Sequence, residues 1–124
     1  MNILADTDVL IDFLKGKGEA QRVADALTNQ ELFTSAISAF ELYSGAKSEK
    51  QIHAVEALLQ AMVVFPLSMD AARRAGHIRR NLDRDGKTVP MADCLIAGIC
   101  LEQKLTLLTR NKKHFERIPN LNLA

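Results

Sequence analysis

Asp6 and Asp8 stand directly behind a short apolar run, Asn2-Ile3-Leu4-Ala5, and directly before the helix-like Val9-Leu10-Ile11. A strand that delivers carboxylates to its C-terminal end is how open α/β sheets build binding crevices. Neither acid can enter an apolar core unpaired without a large desolvation cost. They therefore cap a helix in contact with water or hold a cation. Three further clusters have the same character. Glu41 is embedded in Ser38-Ala39-Phe40-Glu41-Leu42-Tyr43-Ser44-Gly45. Asp93 lies in Pro90-Met91-Ala92-Asp93-Cys94-Leu95-Ile96-Ala97. Thr109-Arg110-Asn111-Lys112-Lys113-His114-Phe115 follows the apolar Leu105–Leu108. Oxygen donors gathered at strand ends favour Mg²⁺ or Mn²⁺ over zinc. Such ions drive phosphodiester hydrolysis by generating a nucleophilic water and neutralising phosphate charge.

Each acid also has an ordinary explanation. Asp6 or Thr7 can be a helix N-cap worth ~1 kcal/mol. Glu41 follows Ser38 at capping-box spacing, and Asp93 falls in the first turn of a helix opened by Pro90, where the macrodipole favours acid. The flanks weigh against this for Glu41 and Asp93, because a carboxylate among core-type residues is expected to be paired or to bind metal.

The elements that must position these residues alternate. Strands are expected at Asn2–Ala5, Leu32–Thr34, Met62–Phe65 and Leu105–Thr109, with a short last one at Leu121–Leu123. Helices are expected over Thr7–Leu14, Glu19–Thr28, Ala36–Ser44, Glu49–Ala61, from an Asp70 cap to Arg84, and from Pro90 to Gln103. Gly16-Lys17-Gly18 and Asp85-Gly86 break the pattern. Strands separated by helices imply an α/β fold, a central parallel sheet of four or five strands with helices on both faces.

With 124 residues the chain makes one domain, 1–124, with a real core. Its 48% hydrophobic and 25% charged content argues against disorder. No run approaches the ~20 apolar residues of a membrane span, and no basic leader precedes the first apolar stretch, so a cytoplasmic protein is expected. Cys94 and Cys100 lack metal or redox spacing and read as reduced core thiols. A net charge of +1 gives no global attraction to nucleic acid, so any such contact must be local.

Taken in order, Leu4-Ala5-Asp6-Thr7-Asp8-Val9-Leu10-Ile11, the Glu41 segment, the Asp93 segment, and Leu108-Thr109-Arg110-Asn111 through Phe115-Glu116-Arg117-Ile118-Pro119 resemble a PIN-domain ribonuclease. The resemblance is to the VapC-type toxins of type II toxin–antitoxin pairs and covers essentially the whole chain. It implies an Mg²⁺- or Mn²⁺-dependent nuclease in which Asp6, Glu41 and Asp93 form the catalytic acids. Asp6 and Asp93 would be metal ligands, and Glu41 a ligand or the group that orients water. Thr7 matches the family's supporting hydroxyl residue, and Asn111 can offer a carbonyl oxygen. Two positions depart from the family: Asp8 stands where Asn is more frequent, and His114 occupies the place of the usual fourth acid. His114, like His53 and His77, is expected to be exposed, as a surface residue or weak phosphate contact. The resemblance also implies an RNA substrate, a homodimer and a cognate antitoxin whose tail packs near the first helices, with Val9, Phe13, Val23 and Leu27 as candidate lining.

Among the basic residues, Arg79, Lys87, Arg110 and Lys112 are the candidate RNA contacts. Most of Arg73, His77, Arg80 and Arg84 read as a solvated face. Two other functions compete. A haloacid-dehalogenase-type phosphatase also opens with a strand and D-x-D, but it needs a later acidic pair that Leu105–Leu108 does not lead to. A non-catalytic PIN module that only binds its antitoxin draws support from His114.

Overall fold

Parallel strands cannot be joined by a tight turn and need a crossover, usually helical. The chain meets that need repeatedly. A computed structural model describes residues 1–124. Four strands, β1 (Ile3–Ala5), β2 (Leu32–Ser35), β3 (Val63–Phe65) and β4 (Thr106–Leu108), all pair in parallel in the order β3-β2-β1-β4. Seven helices accompany them: α1 (Thr7–Leu14), α2 (Ala20–Thr28), α3 (Ala36–Gly45), α4 (Glu49–Gln60), α5 (Met69–Arg84), α6 (Met91–Gln103) and the single turn α7 (Lys112–Phe115). The expected strand at Leu121–Leu123 is reduced to one bridge between Leu123 and Leu107.

Side chains alternate across a strand, and the sheet divides the core accordingly. Leu4 and Leu107 enter a cluster with α5 and α6 that includes Ala71, Ala75, Ile78, Ile96 and Ile99. Ile3, Ala5 and Leu108 face the other way, against Val9, Leu10, Val23, Leu42 and Val55. Helix α5 approaches α6 so closely that a Cβ on Gly98 would lie 2.4 Å from the Ala71 carbonyl oxygen. Small residues at Ala71, Ala75 and Gly98 are what allow this contact. Both cysteines are buried free thiols, and burial pushes the Cys100 thiol up to about 12.

The starts of α5 and α6 differ from the sequence expectation, and α3, which begins at Ala36 as expected, has a different cap. Ser68, not Asp70, caps α5, its side chain accepting from the Ala71 amide at 3.1 Å. Asp70 instead sits in the first turn, paired with Arg73 and Arg74. Ser35, not Ser38, caps α3, which leaves Glu41 well inside the helix and free of any capping role. Pro90 is itself the cap position of α6, which begins at Met91.

The strand order reverses at β1. The chain goes first to β2 and β3 on one side, then crosses to β4 on the other. Such a switch point opens a crevice beyond the strand carboxyl ends. The residues just past β1 and β4 are Asp6 and Thr109.

Candidate active site

Asp6 is the last residue before α1 and its N-cap, accepting from the Thr7 amide at 2.8 Å. Its amide donates to the Leu108 carbonyl at 2.9 Å, and Thr109 Oγ1 donates to its second carboxylate oxygen at 2.7 Å. The side chain is thus fixed at the crevice between β1 and β4 and is only 4% exposed. Burial, and behind it the charges of Asp8 and Asp93, push the Asp6 carboxyl up to about 6, although the bonds from Thr109 and Thr7 pull the other way. The capping role does not exclude a chemical one, since each oxygen keeps a second lone pair.

Thr7 links Asp6 to Glu41. Its Oγ1 lies 2.6 Å from Glu41 Oε1 and 2.9 Å from Ser38 Oγ. Having one proton, it donates to the carboxylate, and the Ser38 hydroxyl donates to it. Glu41 is thereby held beside the N-terminus of α1 although 34 residues away from Thr7 in sequence.

Asp93, in the first turn of α6, is near enough that its charge raises Asp6. His114 Nδ1 lies 2.8 Å from Asp93 Oδ2, with the side chains 38% and 14% exposed. His114 stays at the surface as expected, but it also contacts Asp93, which the sequence did not indicate. Helix α7, absent from the sequence reading, turns the imidazole inward onto Asp93.

Asp8 is half-buried, and burial raises its carboxyl. Its Oδ1 accepts weakly from the Arg110 amide at 3.4 Å, while its Oδ2 is buried without a hydrogen-bond partner. Arg110 is committed elsewhere: its Nε lies 2.9 Å from Asp12 Oδ2, and the Asp12 side chain is only 5% exposed. Gly18, at φ +60°, lets the chain pass this pair, since a Cβ there would lie 2.6 Å from Asp12 Oδ2. Of the other candidate RNA contacts, Lys87 and Lys112 are exposed. Arg79 lies 3.5 Å from Asp83 Oδ2 and leaves its Nε without a hydrogen bond. Asn111 is exposed, and its amide donates to Thr109 Oγ1 at 3.0 Å.

The donors at this crevice are carboxylate oxygens with unrelieved negative charge and one orphaned acceptor, which suits a hard divalent cation. No three acidic, histidine or cysteine side chains are grouped closely enough to cage an ion unaided. A Mg²⁺ ion here would need waters and substrate phosphate to complete its oxygen shell.

The PIN domain family model matches residues 3–121. The chain belongs to the PIN-domain family. It is 31% identical to the tRNA(fMet)-specific endonuclease VapC of Salmonella typhimurium, over 99% of this chain and 96% of that protein. It is 32% identical to Ribonuclease VapC19 of Mycobacterium tuberculosis, over 95% of each. Among solved structures, DNA-bound VapBC from Salmonella typhimurium superposes with a TM-score of 0.90 at 32% identity, covering 100% of this chain and 97% of that one. VapBC-1 from Haemophilus influenzae gives 0.86 at 29% identity, over 100% and 97%.

This PIN-domain chain is a ribonuclease of the VapC toxin type. The haloacid-dehalogenase alternative falls with the family match. Two residues of the site escaped the sequence reading. Thr109 was seen only as part of a polar cluster, and Asp12 resembled any helical acid. The signal for Thr109 was its place directly after a buried strand, facing the acid that follows the neighbouring strand. A groove of about 630 Å³ opens beside Glu41 between α1, α3 and α4, lined by Ile11, Leu14, Leu42 and Val55 with Lys15, Lys47 and Lys50. Val23, a candidate for a partner groove, is instead fully buried core, as is Val9, for which the sequence favours core packing, and Phe13 and Leu27 pack against that same core.

Proposed function

We propose that this PIN-domain ribonuclease cleaves RNA internally with Mg²⁺ or Mn²⁺ held between Asp6 and Asp93. When bound, the cation neutralises phosphate charge and activates the attacking water. Asp6, fixed by Thr7 and Thr109, is the rigid ligand. Asp93 is the second ligand, oriented by His114. Glu41, held by Thr7, orients water or accepts its proton. Asp8 adds negative charge and a free acceptor. The observation that carries this reading is the placement of a buried, rigidly held Asp6 at the switch-point crevice beside an Asp8 oxygen that has no hydrogen-bond partner. Burial raises the Asp6 carboxyl to about 6, a perturbation of the kind that clusters at functional sites.

No helix is long and apolar enough to cross a membrane, and we place the enzyme in the cytoplasm with its RNA. We assign the groove beside Glu41 to a cognate antitoxin segment, and the exposed Phe40, Met69 and Met91 to a homodimer contact. Cleavage of a single-stranded RNA with Mn²⁺, run on wild type and Asp6→Asn, tests the catalytic reading. Metal-dependent cleavage lost in the folded variant supports it. Cleavage retained in the variant, or none in wild type that still binds antitoxin, supports a binding-only module.

A further inference from the structure

Away from the acidic crevice, α5 and the segment after α7 enclose a second cavity of about 390 Å³. That volume lies in the range that holds a small ligand. Buried side chains of Ile78 and Leu82 contribute an apolar floor. Arg74, Arg84 and Arg117 line the same space, against the single carboxylate of Asp85.

The three guanidiniums are not equally free. Arg74 lies 2.9 Å from Asp70 and is committed. Arg84 is 3.5 Å from Asp85 with its side chain 71% exposed, a pairing that contributes little. Arg117 meets no carboxylate and donates only to the Lys87 carbonyl at 3.4 Å. Two largely uncommitted guanidiniums over an apolar floor can grip phosphate and leave room for a flat ring. Asn120, in the same wall, carries the donor and acceptor that a base edge requires, while Asn81 already shares its side-chain amide with His77 Nε2 at 3.1 Å. An acidic peptide would use the cations but neither the floor nor the amide. Arg117 is three residues beyond His114, which holds Asp93, so chain reach alone keeps their Cα atoms within about 11 Å.

We propose that this cavity is an RNA subsite that takes one unpaired nucleotide, its phosphate on Arg84 and Arg117 and its base over Ile78 and Leu82. The proposal rests on the ribonuclease reading above and names a second contact for the same substrate. Recognition of an unpaired base by stacking and edge contacts is the ordinary mode for single-stranded RNA.

The test uses a labelled single-stranded RNA of about 12 nucleotides, bound in EDTA so that no cleavage occurs, with wild type, Arg84→Ala/Arg117→Ala and Arg84→Lys/Arg117→Lys. Both side chains are at the surface, and a thermal melt checks the fold. The alanine pair should weaken binding about 10-fold and flatten the log Kd against log salt slope by about 1.4, the loss of two phosphate contacts. The lysine pair should keep the slope and recover part of the affinity. With Mn²⁺ present, the alanine pair should raise KM without lowering kcat, and a dinucleotide substrate should show no change. Unchanged affinity and slope in the alanine pair, or an equal loss with the dinucleotide, overturns the subsite. So does loss of binding to an acidic antitoxin segment with RNA binding intact. If wild type cleaves and the alanine pair cleaves alike, only the subsite fails. If wild type neither binds nor cleaves RNA, both readings fail.

Discussion

Asp6→Asn should make the metal-free protein more stable, by an amount that depends on pH. The Asp6 carboxyl is raised from 3.8 to about 6 in the folded chain. Between those values the folded state binds more protons than the unfolded state, so stability falls as pH rises through this window. This is opposite to the usual buried, ion-paired aspartate. A shift of about two units is worth about 3 kcal/mol above pH 7. The shift is already net of the bond from Thr109, and Asn still accepts from the Thr7 amide, so removing the charge gains up to about 3 kcal/mol, or roughly 12 °C in Tm for a chain of this size. Thermal melts in EDTA from pH 4 to pH 8 measure it. The gap should be near zero at pH 4, open between pH 4 and 7, and stay constant above. A variant no more stable than wild type at pH 8, or a gap independent of pH, would refute the claim that Asp6 is a charge held at a cost.

Other expectations follow from single contacts. Thr7→Val removes the bond to Glu41 and should lower kcat at least 10-fold in a cleavage assay, with a change in Tm of only a few degrees. His114→Ala frees Asp93 and should reduce both cleavage and Mn²⁺ affinity about 10- to 100-fold, as loss of an orienting partner does; an effect within a few-fold would return His114 to the surface role. Gly98→Ala drives a Cβ against the Ala71 carbonyl and should cost about 1–3 kcal/mol by overpacking, read as a lower Tm with specific activity retained below it.

The parallel α/β architecture was legible in the sequence because it rests on local signals: short apolar strands, helical spacing and breakers such as Gly16-Lys17-Gly18. Asp6 was legible for the same reason, a charge placed at the end of an apolar run. The expected catalytic set of Asp6, Glu41 and Asp93 followed from the family resemblance. The hydrogen bonds that would hold it together were not legible. The Thr109–Asp6 bond joins residues 103 apart, and the His114–Asp93 pair depends on a one-turn helix too short to show periodicity. Arg110 looked like a phosphate ligand because its partner, Asp12, lies on a different element. The α5 cap fell on Ser68 and not Asp70 because Ser and Asp suit that role about equally well, and at α3 two serines, Ser35 and Ser38, offered the same side chain. Ser68 and Ser35 held the extended backbone that a cap needs.

The most direct measurement is calorimetric titration of Mn²⁺ into the wild type, Asp6→Asn and Asp93→Asn proteins at pH 7.5. We expect at least one site per chain in wild type, abolished or weakened more than 10-fold by either substitution. Identical isotherms for all three would show that the ion binds elsewhere and that Asp6 and Asp93 do not hold it.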